Sequence, residues 1–485
     1  MTQRRLLRMI LALALAGWAL WVLEGARAGV EITDLHVGPT PLTRMSDGSG
    51  GPAVVIAHGF AGSRQMMQAY GLTLARAGYT IHAFDFEGHG RHPEPMRGDV
   101  GSIDGTTRML VEQTHDVIAQ ARQGGAQVAL LGHSMATDVL VRTANDTEGI
   151  GPVVLLSAFS EAITPTHPDD LLLITGAWEA GLIGFARKAL SMADADAELG
   201  ETIRRDGLRR KAMLAPAAEH VAILQSRAGR RAALDWLNGY YDRDRTAPVP
   251  PTGWALIGLL AAITVLFAPL ARLLGPGPET WQPRLTVGSF LVVVLVPALA
   301  APLVAAVVET SFLPVLVADY LVVHLGLYGL LQGALLWWRK GAPGRPEFAA
   351  TVLLALWTIF VFGMALDRYG ANFWPTAERL SIIGALCTGA VPFMLADSWL
   401  ACAAPLWQRM TARLAFLASL GLAVALDFEG LFFLLMIAPV IVLFYLTFGV
   451  MARATAKVSG PASAGLGLGV ALAWALGVSF PLFAA

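Results

Sequence analysis

The chain of 485 residues contains only two cysteines, Cys387 and Cys402. No disulfide framework can brace it, and cysteine usage names no compartment. Charge is equally scarce. Only 15% of residues are charged, and the net charge is −1. A protein without a basic excess is a poor partner for nucleic acid. The shortage is also uneven. Residues 1–250 hold 51 charged side chains and nine of the ten histidines, while the remaining 235 positions hold 20 charged side chains. The rear half shows no transporter motif, no arginine-rich voltage sensor and no metal-ligand cluster. A polar front is therefore joined to an apolar rear.

Apolar sequence is what the chain has in excess. Its mean hydropathy is +0.56 and 55% of its residues are hydrophobic, too apolar for a soluble enzyme of this size. From Gly253 the candidate spans are 253–274, 286–308, 312–338, 348–366, 380–404, 414–427, 430–450 and 463–483. Crossing ~30 Å of hydrocarbon takes roughly 20 helical residues, so residues 253–485 read as a membrane domain of about eight helices. At the start, Arg4, Arg5 and Arg8 precede an apolar stretch from Met9 to Leu23 and the small-residue segment Ala26-Arg27-Ala28. Residues 1–28 thus read as a signal anchor or a cleaved signal peptide.

Basic residues orient this arrangement. With the first arginines inside, the front domain lies outside. Arg272, Arg284, Arg339, Lys340, Arg345, Arg409, Arg413, Arg453 and Lys457 then all fall at inner junctions, as the positive-inside bias requires. The outer connections are Glu309–Ser311, Asp367–Arg379 and Asp427–Gly430. Only the second carries arginines, Arg368 and Arg379, and these are offset by Asp367 and Glu378. The expected location is a bacterial cell membrane, with the front domain on the extracytoplasmic side.

Residues 30–247 read as one α/β domain, followed by a proline-bearing linker at 248–252. Short apolar strands are expected at Pro52–Ala57, Thr80–Asp85, Ala126–Leu131, Val153–Ser157, Leu171–Thr175 and Lys211–Ala215. Helical patterns fall at Arg64–Arg76, Thr106–Arg122, Asp138–Asn145 and Arg231–Tyr240. This alternation predicts a doubly wound, mostly parallel sheet. Gly181–Arg210 reads as helix-forming. Only about a dozen residues separate Ser157 from Leu171, which leaves no room for a helical lid.

Chemistry enters at Gly132-His133-Ser134-Met135-Ala136, where an apolar strand gives way to a helix. This is the context of a nucleophilic serine held on a sharp elbow. A serine hydroxyl needs a base, a group to orient that base, and donors for the oxyanion. His58-Gly59-Phe60, after the first strand, can supply one donor. Glu179 follows a late strand, and His220 follows the last. Glu161, Asp194 and Asp196 are rival acids. Asp169 and Asp170 precede their strand and face the wrong end of the sheet. In the rear half, Asp319, Tyr320 and His324 share one helix. An ionisable group at that depth invites a functional reading, although an interhelical hydrogen bond explains it more simply.

Together with Phe84-Asp85-Phe86-Glu87-Gly88-His89-Gly90, these stretches make residues 50–240 resemble the α/β-hydrolase family. The resemblance implies an α/β-hydrolase fold with Ser134 as nucleophile, His220 as general base and Glu179 as orienting acid. Backbone N–H groups of Phe60 and Met135 would form the oxyanion hole. Ala136 stands where the family usually has glycine, and Glu179 where aspartate is commoner. His133 is expected to be structural at the elbow, His58 to brace the oxyanion loop, and His89 to stabilise a loop. The implied activity is serine esterase or lipase chemistry through an acyl-enzyme, with no metal or organic cofactor. The substrate would be a small-molecule or lipid ester, or a thioester. The same triad could serve an acyltransferase. A third possibility is a transporter or assembly protein whose hydrolase-like domain only binds a ligand. The rear half resembles no recognised family.

Overall fold

The computed structural model describes residues 3–99, 102–122, 127–274, 285–308, 312–315, 317–402 and 404–484. Arg284 and the Glu309–Ser311 connection lie outside the described residues, as does Ala126 at the head of one expected strand. The chain forms two compact units. One gathers residues 1–17, Gly258–Leu366 and Phe373–Phe480. The other gathers Trp18–Ile257, Asp367–Asn372 and the stretch from Pro481 on.

The second unit is built on a nine-stranded sheet. Its strands are β1 (Glu31–Val37), β2 (Thr40–Ser46), β3 (Ala53–Ala57), β4 (Thr80–Phe84), β5 (Val128–His133), β6 (Ile150–Leu156), β7 (Asp170–Gly176), β8 (Thr202–Arg205) and β9 (Leu208–Ala215), in the spatial order β1-β2-β4-β3-β5-β6-β7-β9-β8. The six inner strands from β4 to β9 run parallel. Their centres read Val-Val-Ile, Ala-Leu-Leu, Val-Val-Leu-Leu and Leu-Leu-Leu-Ile, and these residues are at most 1% exposed. Unbroken apolar runs are what a sheet covered on both faces requires. The covering helices are α2 (Gln68–Arg76), α3 (Arg108–Ala121), α4 (Met135–Asp146), α5 (Ala180–Ser191) and α6 (Arg227–Tyr241), with α1 (Gln3–Arg27) preceding the sheet.

Three strands differ from the sequence reading. β1 and β2 form an antiparallel hairpin across Gly38-Pro39. β1 is mostly exposed and polar, so it lacks the apolar run that marks the inner strands. The end of Gly181–Arg210 is strand rather than helix. β8 pairs antiparallel with β9 across Asp206-Gly207, both at positive φ (48° and 84°). Asp-Gly is the dipeptide that favours such a hairpin turn.

Asp170, at the start of β7, lies at the opposite end of the sheet from the strand termini that carry Ser134 and His220. It receives Arg209 through Nε (2.6 Å) and Nη2 (3.0 Å), and the guanidinium lies 3.9 Å from the Trp236 ring centre. This buried ion pair keeps the carboxylate in structural use.

The other unit is helical. Among the described residues, eight helices are long and apolar enough to cross a membrane: Gln3–Arg27, Thr252–Leu274, Val287–Ala305, Ala318–Arg339, Phe348–Tyr369, Ala377–Cys402, Leu406–Leu426 and Leu434–Ser479. Seven of them lie after residue 250, against the eight spans expected there. The expected spans 430–450 and 463–483 are two limbs of one 46-residue helical stretch, broken at Gly460 (φ 83°, ψ 168°) before Pro461. Arg453 and Lys457 therefore sit on helix and not in a loop. Leu406–Leu426 begins earlier than the apolar run from 414 because its polar side chains find partners. Arg413 lies 3.6 Å from Asp397 and 3.9 Å from the Tyr445 ring centre. Arg379 is likewise helical and buried, donating to the carbonyls of Gly477 and Phe480 at the end of the last helix. His324 is fully buried between Tyr320 Oη and Ser419 Oγ, each at 3.1 Å. Ser419 belongs to Leu406–Leu426, so the contact is an interhelical hydrogen bond.

The loop after β4 carries a carboxyl whose titration is displaced. Burial, helped by the like charges of Glu94 and Glu112, pushes the Glu87 carboxyl from 4.5 up to about 7. The folded protein therefore holds a proton there that the unfolded chain has released. This contribution to stability is complete below the unfolded value and fades as pH rises through 7. Glu87→Gln removes it. The variant should lose less melting temperature between pH 5 and pH 8 than the parent, measured by thermal shift in detergent. Parallel losses in the two proteins would show that Glu87 does not carry the effect.

Candidate active site

The site begins where β5 ends. Ser134 has φ 54° and ψ −120°, a strained conformation for a non-glycine residue. Its N–H donates to Leu156 O (3.0 Å), and its carbonyl accepts from Thr137 N (2.9 Å) and Thr137 Oγ1 (2.6 Å). The turn is tight on its inner side. A β-carbon on Gly132 would stand 2.6 Å from Leu140 Cδ1 and 3.3 Å from Ala136 Cβ. Gly132 supplies the room that lets Ala136 stand where the family usually has glycine. The elbow lifts the Ser134 side chain to the ends of the parallel strands.

The loops after β7 and β9 bring two further side chains there. His220 Nε2 lies 2.8 Å from Ser134 Oγ, and His220 Nδ1 lies 2.6 Å from Glu179 Oε1. The Glu179 side chain is buried, while that of His220 is 44% exposed, so the row opens to solvent at His220. Glu179 Oε2 accepts from Gly176 N (2.6 Å) and Ser157 Oγ (2.7 Å). The carboxylate is thus held on both oxygens, one by the imidazole and one by fixed donors. The rival acids lie elsewhere. Glu161 is exposed, Asp194 faces Arg205 at 3.6 Å, and Asp196 donates its N–H to Asp194.

Ser157, which the sequence did not single out, and His133 complete this frame. Ser157 carries no motif of its own; only its place at the end of β6 could have marked it. His133, expected to be structural at the elbow, has its Nε2 2.8 Å from the carbonyl of His220 itself. Burial, with the neighbouring His220 adding to it, pushes the His133 imidazole down to about 3. It is therefore neutral and donates through Nε2, fixing the backbone of His220 without adding charge.

The segment His58-Gly59-Phe60 abuts the serine. A β-carbon on Gly59 would fall 2.9 Å from Ser134 Cβ. His58 is buried, and burial lowers its pKa. It accepts from Phe86 N at Nε2 (3.1 Å), and its Nδ1 lies 2.7 Å from Gly59 O. Met135 opens α4, so its N–H has no helical acceptor one turn earlier. Behind this segment Asp85 is fully buried. It accepts from Arg64 N (2.7 Å), Arg91 N (3.0 Å) and the Arg64 guanidinium. His89 lies against both His58 and Phe60, at ring separations of 5.3 and 5.5 Å. Trp178 and Val221, the sequence neighbours of Glu179 and His220, are exposed, as is Phe159, whose backbone meets Thr137 Oγ1 beyond the elbow.

Residues 51–231 match the model of the serine aminopeptidase S33 family of hydrolases, and the rest of the chain is unassigned. No curated protein matches the chain. Among solved structures, a predicted CIB-like hydrolase from Thermoplasma acidophilum is 18% identical over 43% of this chain and 98% of its own, with a TM-score of 0.35. A membrane phospholipase A described as a bacterial virulence factor is 16% identical over 50% of this chain and 100% of its own, with a TM-score of 0.34. An epoxide hydrolase from an endophytic Streptomyces is 14% identical over 44% of this chain and 97% of its own, also with a TM-score of 0.34. The reading of the site rests on its own geometry.

Removing the Ser157 hydroxyl should loosen Glu179. A hydrogen bond to a charged group is worth about 1.5–3 kcal/mol, and Gly176 N–H remains. Ser157→Ala should therefore slow fluorophosphonate labelling of Ser134 by about tenfold. An unchanged labelling rate would remove Ser157 from the orienting frame.

Proposed function

Since residues 51–231 form an α/β-hydrolase domain, we propose that this chain is a membrane-embedded serine hydrolase that cleaves carboxylic ester or thioester bonds of lipidic substrates. The observation that carries this reading is the row Ser134 Oγ, His220, Glu179 at 2.8 and 2.6 Å on a strained elbow. Ser134 attacks the acyl carbon while His220 takes its proton. Glu179 orients the imidazole and stabilises its charged form. The N–H groups of Phe60 and Met135 receive the developing oxyanion. His220 then protonates the leaving alcohol or thiol, and water attacks the acyl-enzyme by the reverse path.

The exposed Phe159, Trp178 and Val221 favour an acyl chain over a polar substrate. Trp178 and Val221 directly neighbour Glu179 and His220 in sequence, and Phe159 lies tilted against Phe185, ring centres 5.3 Å apart. An apolar rim of this kind gains free energy from each methylene it covers, about 0.8 kcal/mol when burial is complete.

Purified protein in detergent should label with a fluorophosphonate and hydrolyse p-nitrophenyl esters, with longer acyl chains preferred. Ser134→Ala should abolish both activities. Labelling that persists in this variant would put the nucleophile elsewhere. Cleavage of aminoacyl arylamides in place of esters would move the substrate class to peptides.

The domain is further proposed to face the extracytoplasmic side. Residues 367–372 and 481–484 belong to the same compact unit as the hydrolase sheet. If each limb of Leu434–Ser479 crosses once, both stretches follow an odd number of crossings from an inner start, as the sheet does. Alkaline phosphatase fused after Arg245 should then be active in cells. An inactive fusion there, with an active cytoplasmic reporter at the same point, would reverse the orientation.

A further inference from the structure

The hydrolase unit contains two short stretches that lie far along the chain from its sheet. The first, residues 367–372, grips the loop after β4. Arg91 Nη2 donates to Asp367 at 2.7 and 2.8 Å, and Arg91 Nε donates to Asn372 Oδ1 at 2.9 Å. Asn372 Nδ2 reaches Gly90 O at 3.4 Å, and Asn372 N donates to Ser63 Oγ at 3.0 Å. Arg91 is thereby fixed at both ends, its backbone to buried Asp85 and its side chain to this stretch.

The second, residues 481–484, adds a strand-like edge to the same loop. Leu482 N donates to Gly88 O (2.8 Å), Met96 N to Leu482 O (2.9 Å) and Ala484 N to Met96 O (2.6 Å). Gly88 has φ 74°, and a β-carbon there would stand 2.5 Å from Leu482 O. The approach is close enough to require glycine. Phe483 is buried by this pairing, with its ring centre 6.5 Å from that of Phe60.

Both stretches converge on the segment that carries Phe60. That segment is irregular, and Ala61 in it has φ 53°, a conformation alanine does not hold unaided. It must be held from outside. Phe483 backs the Phe60 ring directly, and Asn372 ties down Ser63 three residues on. We propose that residues 367–372 and 481–484 are positioning elements that keep the Phe60 N–H aimed at the reacting carbonyl oxygen. The role rests on the hydrolase reading above. Their effect falls on the transition state, where the oxyanion forms, and leaves ground-state binding of the ester unaltered.

The test uses the full chain in detergent with a soluble p-nitrophenyl ester, and active sites titrated by fluorophosphonate. Phe483→Ala and Ser63→Ala, the latter removing the hydroxyl that accepts from Asn372 N, should each lower kcat per titrated site by about tenfold or more, with KM changed by no more than about twofold. A trifluoromethyl ketone, which forms an oxyanion on Ser134, should bind more weakly by a similar factor. Phe483→Leu should recover most of the loss. If the alanine variants keep kcat per titrated site and ketone affinity, the positioning role is wrong even though Ser134 is the nucleophile. A loss explained wholly by fewer titrated sites would also overturn it. Failure of the parent protein to label at all would overturn both readings, and so separates the two cases.

Discussion

Holding one serine in a backbone conformation that serine avoids is the constraint on which this domain turns. The strain at Ser134 costs on the order of 1–3 kcal/mol, and the surrounding sequence is shaped by offsetting it. Leu156 accepts the strained N–H, and Thr137 returns two hydrogen bonds to the carbonyl. Gly132 and Gly59 stand where a side chain would strike Leu140 or Ser134 itself. The apolar parallel strands behind the elbow are rigid because they are buried on both faces. That rigidity lets a single residue carry strain without relaxing.

Three buried carboxylates of the same unit show how environment assigns different work to one chemical group. Asp170 is matched by Arg209 at the far end of the sheet, and its charge is spent within the fold. Asp85 is matched by Arg64 and by two backbone N–H groups, which locks two loops together. Glu179 has no arginine. Its second oxygen takes neutral donors from Ser157 and Gly176, and its first is left to an imidazole. Only this third arrangement leaves a carboxylate whose interaction strengthens when a nearby base gains a proton.

The inner strands and covering helices were legible because long apolar runs and helical periodicity report burial directly. So was the order of serine, acid and histidine, since each follows a strand end. The β1–β2 hairpin was hidden by its polar, exposed edge. The β8–β9 hairpin had a readable Asp206-Gly207 turn, outweighed by charges that looked like a solvated helix. Ser157 and His133 act through a hydroxyl and a backbone carbonyl brought together by the fold, and no local pattern announces such contacts. In the helical unit, hydropathy marked the long helices but misplaced the ends of those where arginines find partners. Arg379 and Arg413 look like loop residues until Gly477, Phe480, Asp397 and Tyr445 are seen beside them.

The pairing of Gly88 with Leu482 joins residues almost four hundred positions apart. Loops closed over such distances form late, because chain entropy opposes them until the intervening sequence is in place. A ribosome that has finished the nine strands has not yet made the edge that backs Phe60. The sheet can be folded, and Ser134 already raised on its elbow, long before residue 484 emerges. The edge that backs Phe60 is therefore completed only after the apolar helices between residues 252 and 479 have been made.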